Sequence, residues 1–137
     1  MHVDGGCHCG NITYEAQVDP ARVSICHCTD CQQLTGTAYR VNVRVRAQDL
    51  VLRGGAPKVY VKTAESGNKR AHAFCPECGT PLYSTSIEPN PQSYGLRVGT
   101  IRQRAQLPPQ AMGWCCSAMP WTMNIDALPK TATQLQR

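Results

Sequence analysis

Nine cysteines in a chain of 137 residues, seven of them packed into three short clusters, constrain the fold more than any other feature of the sequence. The clusters are Cys7-His8-Cys9, Cys26-His27-Cys28-Thr29-Asp30-Cys31 and Cys75-Pro76-Glu77-Cys78, with an adjacent pair, Cys115-Cys116, further on. An odd count excludes complete pairing into internal disulfides. The segment Met1 to Gly6 lacks a basic stretch followed by an apolar one, so no secretion signal is expected, and no apolar run approaches the ~18 residues of a membrane helix. The expected setting is therefore cytoplasmic and reducing, with no membrane partner. Clustered thiols there are metal ligands or reactive groups.

Metal would also answer a shortage of core. Leu, Ile, Val and Phe together supply only 24 residues, about 18% of the chain and under the roughly 20% below which disorder becomes a live option. A charged fraction of only 17% and seven Tyr and Trp argue against disorder, so crosslinks must stand in for the missing apolar area. The length suits a single zinc-stabilised domain, residues 1–137, with a tail fraying from about 130 to 137.

Zinc in a structural site takes four ligands in a tetrahedron, whereas a catalytic zinc keeps three protein ligands and one exchangeable position. Seven clustered cysteines divide as four plus three. Cys26, Cys28 and Cys31 lie within six residues and can reach one ion from a turn entering a helix, which leaves Cys7, Cys9, Cys75 and Cys78 to close the other site. A competing partition adds Cys115, His8, His27 or His72 to the three and closes the second site as well. Cys115 and Cys116 otherwise read as small buried apolar residues.

Between the clusters, alternation predicts short strands. Tyr39, Val41, Val43 and Val45 face one way while Arg40, Asn42 and Arg44 face the other. Weaker signals span 12–18, 50–52, 58–63, 69–74, 82–85 and 94–98, separated by Gly, Pro and Asn turns. One helix start stands out, Thr29-Asp30-Cys31-Gln32, where the Thr29 hydroxyl and the Gln32 side chain can cap each other's amides. Gly36 ends it within two turns. From Leu107 onward prolines break any long element, and the tail reads as a packed lid anchored by Trp114 and Trp121.

The runs Gly5-Gly6-Cys7-His8-Cys9-Gly10-Asn11-Ile12-Thr13-Tyr14, Cys26-His27-Cys28-Thr29-Asp30-Cys31-Gln32 with Gly36, Phe74-Cys75-Pro76-Glu77-Cys78-Gly79-Thr80-Pro81-Leu82 and Leu96-Arg97-Val98-Gly99-Thr100 together resemble the glutathione-dependent formaldehyde-activating enzyme family, which includes centromere protein V. The resemblance runs from about Gly5 to Pro129. It implies a mainly β, β-tent fold of short antiparallel sheets with one short helix and two zinc ions per chain. One zinc is structural, on Cys7, Cys9, Cys75 and Cys78; the other is catalytic in type, on Cys26, Cys28 and Cys31. The implied activity is a carbon–sulfur lyase reaction that joins glutathione and formaldehyde into S-hydroxymethylglutathione or reverses it. Met112 stands where many members carry a His, and Arg102 where an acidic residue is common, in regions that border the substrate pocket. A zinc lyase acting on another thiol adduct or small electrophile, and a non-catalytic zinc-stabilised binding module, therefore remain as alternatives.

A glutathione-like substrate needs cations for its carboxylates. Arg40, Arg44 and Arg97, with Lys69 and Arg70, are candidates that otherwise read as a solvated strand face, and Trp114 is the candidate apolar contact. The 14 Lys and Arg form no basic run, so nucleic acid is not the expected partner despite a formal charge of +5. Seven thiolates and two divalent ions would bring that charge to about +2.

Overall fold

Every strand expected from alternation forms, within one or two residues at its ends. The computed structural model describes residues 1–135; the part of the expected frayed tail at 136–137 lies outside the described residues. The strands are β1 (His2–Gly6), β2 (Ile12–Gln17), β3 (Val23–Cys26), β4 (Arg40–Arg46), β5 (Leu50–Gly54), β6 (Lys58–Thr63), β7 (Lys69–Phe74), β8 (Pro81–Ser86), β9 (Ser93–Arg97) and β10 (Ala111–Gly113). The helix α1 covers Thr29–Thr35, and short 3-10 turns fill much of the rest.

These build the mainly β architecture in two sheets. A three-stranded sheet has the order β1-β2-β5, and a seven-stranded sheet the order β10-β3-β4-β9-β8-β7-β6. All pairings are antiparallel except β10 with β3, which is parallel, a departure from the purely antiparallel expectation. The core draws on the facing sides of both sheets: Val3, Ile12 and Tyr14 from the small one, Val43, Val45, Leu82 and Leu96 from the large one. Cys7 and Cys75 belong to the same cluster, so the cysteines do extend a thin core.

Three strands escaped the alternation pattern. β1 reads His-Val-Asp-Gly-Gly, and its glycines look like turn residues. Gly5 is in fact extended, paired with Tyr14 and bridged to Ile101, and the position requires glycine because a Cβ there would lie 2.3 Å from the Thr100 carbonyl oxygen and 2.7 Å from the Tyr14 hydroxyl. β3 and β10 are only four and three residues long, too short to show a period.

The tail corrects two expectations. Trp114 and Trp121 are 62% and 58% exposed, and Cys115 and Cys116 are exposed rather than buried in the core. A tail made of single 3-10 turns between prolines presents no continuous face to bury. Its attachments include Leu107, fully buried, β10, which runs beside β3, and Ser117, whose hydroxyl donates to the His27 carbonyl at 3.0 Å.

Candidate metal centres and the cavity between them

The first cluster joins the turn after β1 to the turn after β7. Cys7, Cys9, Cys75 and Cys78 place their sulfur atoms within 4.8 Å of one another. The Cys7–Cys9 and Cys9–Cys75 Sγ separations are 3.6 and 3.8 Å. Tetrahedral zinc with Zn–S bonds of about 2.3 Å requires edges of about 3.8 Å, so this donor set fits the ion. Backbone amides meet the sulfurs: Ile12 N donates to Cys7 Sγ at 3.2 Å and Glu77 N to Cys75 Sγ at 3.4 Å. Thr80 ties the two turns together, with its Oγ1 3.1 Å from Cys78 Sγ and accepting from His8 N at 3.0 Å.

The thiols titrate as a set. The Thr80 hydroxyl, then its amide, bring Cys78 down to about 5. Cys9 is pushed up to about 12, because burial and the neighbouring sulfurs of Cys7, Cys78 and Cys75 outweigh the Asn11 amide. Four thiolates this close need a cation to be ionised together at neutral pH, which is what a divalent metal supplies.

The second cluster sits where β3 runs into α1. Cys26, Cys28 and Cys31 also lie with sulfurs within 4.8 Å of one another. The N-cap of α1 is Cys28, not Thr29: its Sγ accepts from Cys31 N at 3.2 Å. The Gln32 side chain reaches back past Thr29 to donate to the carbonyls of His27 and Ser117, at 2.8 and 3.0 Å. The cap position thus serves the sulfur site, and Gly36, at φ 69°, ends the helix as its sequence position predicts.

Among the described residues, no fourth Cys, His or carboxylate joins these three sulfurs. His27 is buried with its Nε2 3.5 Å from Met112 Sδ, His72 pairs with Arg97, and His8 is exposed beside the first cluster. Burial would raise the Cys31 thiol, but the Arg40 guanidinium and the sulfurs of Cys28 and Cys26 more than offset it and lower it. Cys26 is pushed up to about 12 by burial and by the sulfurs of Cys28 and Cys31, which outweigh the Cys28 amide.

Beside this centre lies a cavity of about 380 Å³, on the face of the large sheet opposite the core. Arg40, Arg97 and His72 line it with Leu34, Tyr60 and Phe74. Arg40 and Arg97 sit at alternate-face positions of β4 and β9, expected to be solvated, yet they are only 5% and 7% exposed. Arg97 donates to Asn42 Oδ1 at 2.7 Å and, through Nη2, to His72 Nδ1 at 3.0 Å. Burial, followed by the charges of Arg97 and Arg40, brings His72 down to about 4, so its ring is neutral at pH 7. Burial and Arg40 lower Arg97 to about 9, which still leaves it cationic. An ion pair between Lys62 and Asp30 at 2.8 Å links β6 to α1.

Of the expected substrate-binding residues, Arg40 and Arg97 therefore share one cavity. Arg44 lines a separate surface groove with Arg22 and Arg46, and Trp114 projects into solvent. Lys69 is exposed, and Arg70 is half-buried against Ser84. His72, Tyr60 and Leu34 were not singled out as lining residues. The signal was present, since His72 and Arg97 occupy positions of predicted strands that a cross-strand alignment with β4 puts on one face.

Fold and site together define a mainly β protein with two cysteine clusters suited to metal. The family model described as "Glutathione-dependent formaldehyde-activating enzyme" matches residues 2–117, and the chain belongs to that family. A crystal structure of a Rhodobacter sphaeroides protein, a Northeast Structural Genomics target, superimposes with a TM-score of 0.60 at 23% identity, covering 80% of this chain and 98% of that one. That likeness concerns the fold alone. No curated protein matches the chain. No helix among the described residues is long and apolar enough to cross a membrane.

Proposed function

We propose that this chain, acting as one domain, is a zinc-dependent carbon–sulfur lyase that joins a glutathione-type thiol to formaldehyde or releases it. The reaction takes place at Cys26, Cys28 and Cys31, and a structural zinc sits on Cys7, Cys9, Cys75 and Cys78. The observation that carries this is the asymmetry of the two clusters: four convergent sulfurs in one, and in the other three with no fourth protein ligand among the described residues, with the cavity-lining Arg40 against Cys31. Membership of a family named for glutathione and formaldehyde supports the substrate class. Nine free thiols suit a reducing compartment such as the cytoplasm.

When bound, zinc with an exchangeable position supplies Lewis acidity and lowers the pKa of a thiol at neutral pH. The chain's own residues do the rest. Cys28 fixes the entry to α1, so the three sulfurs keep one arrangement as ligands exchange. Arg40, against Cys31, offsets part of the thiolate charge. Leu34, Tyr60 and Phe74 give the cavity an apolar side, with Leu34 and Tyr60 at its exposed rim. In the forward direction the thiolate sulfur forms a bond to the carbonyl carbon, the carbonyl electron pair moves to oxygen, and that oxygen takes up a proton. No redox partner is needed.

The test is metal analysis with cobalt substitution, combined with exchange NMR of glutathione and formaldehyde. Two metals per chain, one with four sulfur ligands and one with three and an exchangeable fourth, together with faster exchange, are expected. Two four-sulfur sites or unchanged exchange would overturn the lyase reading. Unchanged exchange in an intact two-metal protein would favour a binding module, for which the exposed Trp114, Trp121, Met123 and Leu128 of the tail are the supporting observation.

A further inference from the structure

The cavity carries more positive charge and more hydrogen-bond donors than formaldehyde can use. Arg40 Nε and Nη2 and Arg97 Nε are buried without a hydrogen-bond partner. Among the described residues no carboxylate lines the cavity, and Asp30, on the adjoining helix, is already paired with Lys62. Several exposed cations elsewhere find acids, Arg46 with Asp49, Arg53 with Glu15 and Arg102 with Asp4; what sets Arg40 and Arg97 apart is that theirs are buried N–H groups without an acceptor. Three thiolates and a divalent ion would carry a net charge of about −1, which two guanidiniums exceed by one unit. The unpartnered pair therefore has room for one anion.

The donors also say what kind. Nε and Nη2 are the side-on edge of a guanidinium, the edge that matches the two oxygens of a carboxylate. Cys31 draws on the charge of Arg40, but a thiolate shared with a metal is a weak acceptor and leaves that edge short of oxygen. His72 Nδ1 is taken up by Arg97, so the neutral ring keeps its hydrogen on Nε2 as a further donor lining the cavity.

Place decides which partner carries the anion. Arg40 lies against a cysteine of the three-sulfur centre, so the carboxylate it meets sits close to the reacting carbon. The carboxylates of glutathione are separated from its sulfur by whole amino-acid units. Formaldehyde has none.

We infer that the buried pair Arg40 and Arg97 forms a carboxylate subsite, and that besides formaldehyde the chain takes as electrophile a small aldehyde or ketone bearing a carboxylate beside its carbonyl. This rests on the thiol–carbonyl reading above and names its substrate class. The step is unchanged: sulfur adds to the carbonyl carbon, the carbonyl pair moves to oxygen, a proton follows, and the carboxylate is a spectator held by the arginines.

The test is calorimetry of the zinc-loaded protein with glyoxylate and with glycolaldehyde, which is of similar size and lacks the carboxylate. Glyoxylate should bind at least about tenfold tighter, the worth of a charge-assisted hydrogen bond. Arg40→Met and Arg97→Met should each abolish that preference. Should Arg40→Met lose zinc, Arg97→Met, which touches no cysteine ligand through its hydrogen bonds, decides the matter. Equal affinity for the two probes, or a preference that survives Arg97→Met, overturns the inference. Glyoxylate preference without accelerated addition of any thiol keeps the subsite and removes the lyase reading. Accelerated glutathione–formaldehyde exchange without that preference does the reverse.

Discussion

Replacing one cysteine in each cluster by serine separates a fold-holding metal from one that serves the site. Cys78 is the cleaner choice in the first cluster because it is exposed, so Cys78→Ser buries no hydroxyl and opens no cavity. Its whole effect passes through the metal. The crosslink it completes bridges 66 residues between Cys9 and Cys75, and closing a loop of that length restricts the unfolded chain by about 4 kcal/mol in the chain-entropy estimate. A small domain holds only about 5–15 kcal/mol in all, and this one has a thin core. Cys28→Ser differs, because serine is among the best N-cap residues and its hydroxyl can accept from the Cys31 amide as the sulfur does. The cap survives, and the closed loop spans only six residues, for which the same estimate gives about 2 kcal/mol, half the loss expected of Cys78→Ser. Metal analysis and urea titration followed by circular dichroism read both quantities. Cys28→Ser should carry one zinc with a midpoint lowered by about 2 kcal/mol or less, while Cys78→Ser should be largely unfolded or shifted by about 4 kcal/mol or more. Equal shifts, or a Cys78→Ser protein with a native midpoint, would refute the division of labour.

Two further outcomes follow from the same geometry. His72 has its pKa lowered to about 4 in the fold, against an ordinary value near 6.5, so between those limits the unfolded chain binds the extra proton and stability falls as pH falls. Because the ring is half-buried, the contribution is discounted to about 1–2 kcal/mol; His72→Asn should remove that part of the pH dependence from pH 6.5 down to 4 in urea titrations, and an unaltered slope counts against a neutral, Arg97-bonded ring. Gly5→Ala would set a Cβ 2.3 Å from the Thr100 oxygen and should cost about 1–3 kcal/mol, read as a lower urea midpoint; an unchanged midpoint would mean β1 is free to move away from Thr100.

Much of this architecture is visible in the chain because its determinants are local. The alternation of Val41, Val43 and Val45 records a face pressed on a core, and the cysteine spacings record which sulfurs can converge from one turn. The capping residue of α1 was misread by one position because a thiolate competed with a hydroxyl for the same amide, and ordinary capping preferences do not rank sulfur. The expected solvation of Arg40 and Arg97 failed for a different reason. Period-2 patterning tells which residues oppose the core, but around Arg40 and Arg97 that second face is lined by Leu34 of α1 and by Tyr60, His72 and Phe74 of β6 and β7, the last three far from Arg40 in sequence. The exposure of Trp114 and Trp121 likewise depends on whether the tail finds a groove, which composition does not encode.

The misplaced arginines bear most on function. A polar face that is merely solvated leaves each cation to water, and screening makes its position almost free of cost. Arg40 and Arg97 instead keep N–H groups out of water with no acceptor, and each such group costs about 1–3 kcal/mol. A chain short of apolar residues that nevertheless holds two such cations on one face, beside the cluster with only three sulfurs, is spending stability where chemistry needs charge. Cys7 and Cys75 of the four-sulfur cluster belong to the core, whereas the three-sulfur cluster has the buried cation Arg40 against Cys31. The cavity itself also reaches Phe74, Gly79 and Pro81 beside the four-sulfur cluster, so it is the place of Cys7 and Cys75 in the core, and of Arg40 at Cys31, that supports the division of roles besides the counting.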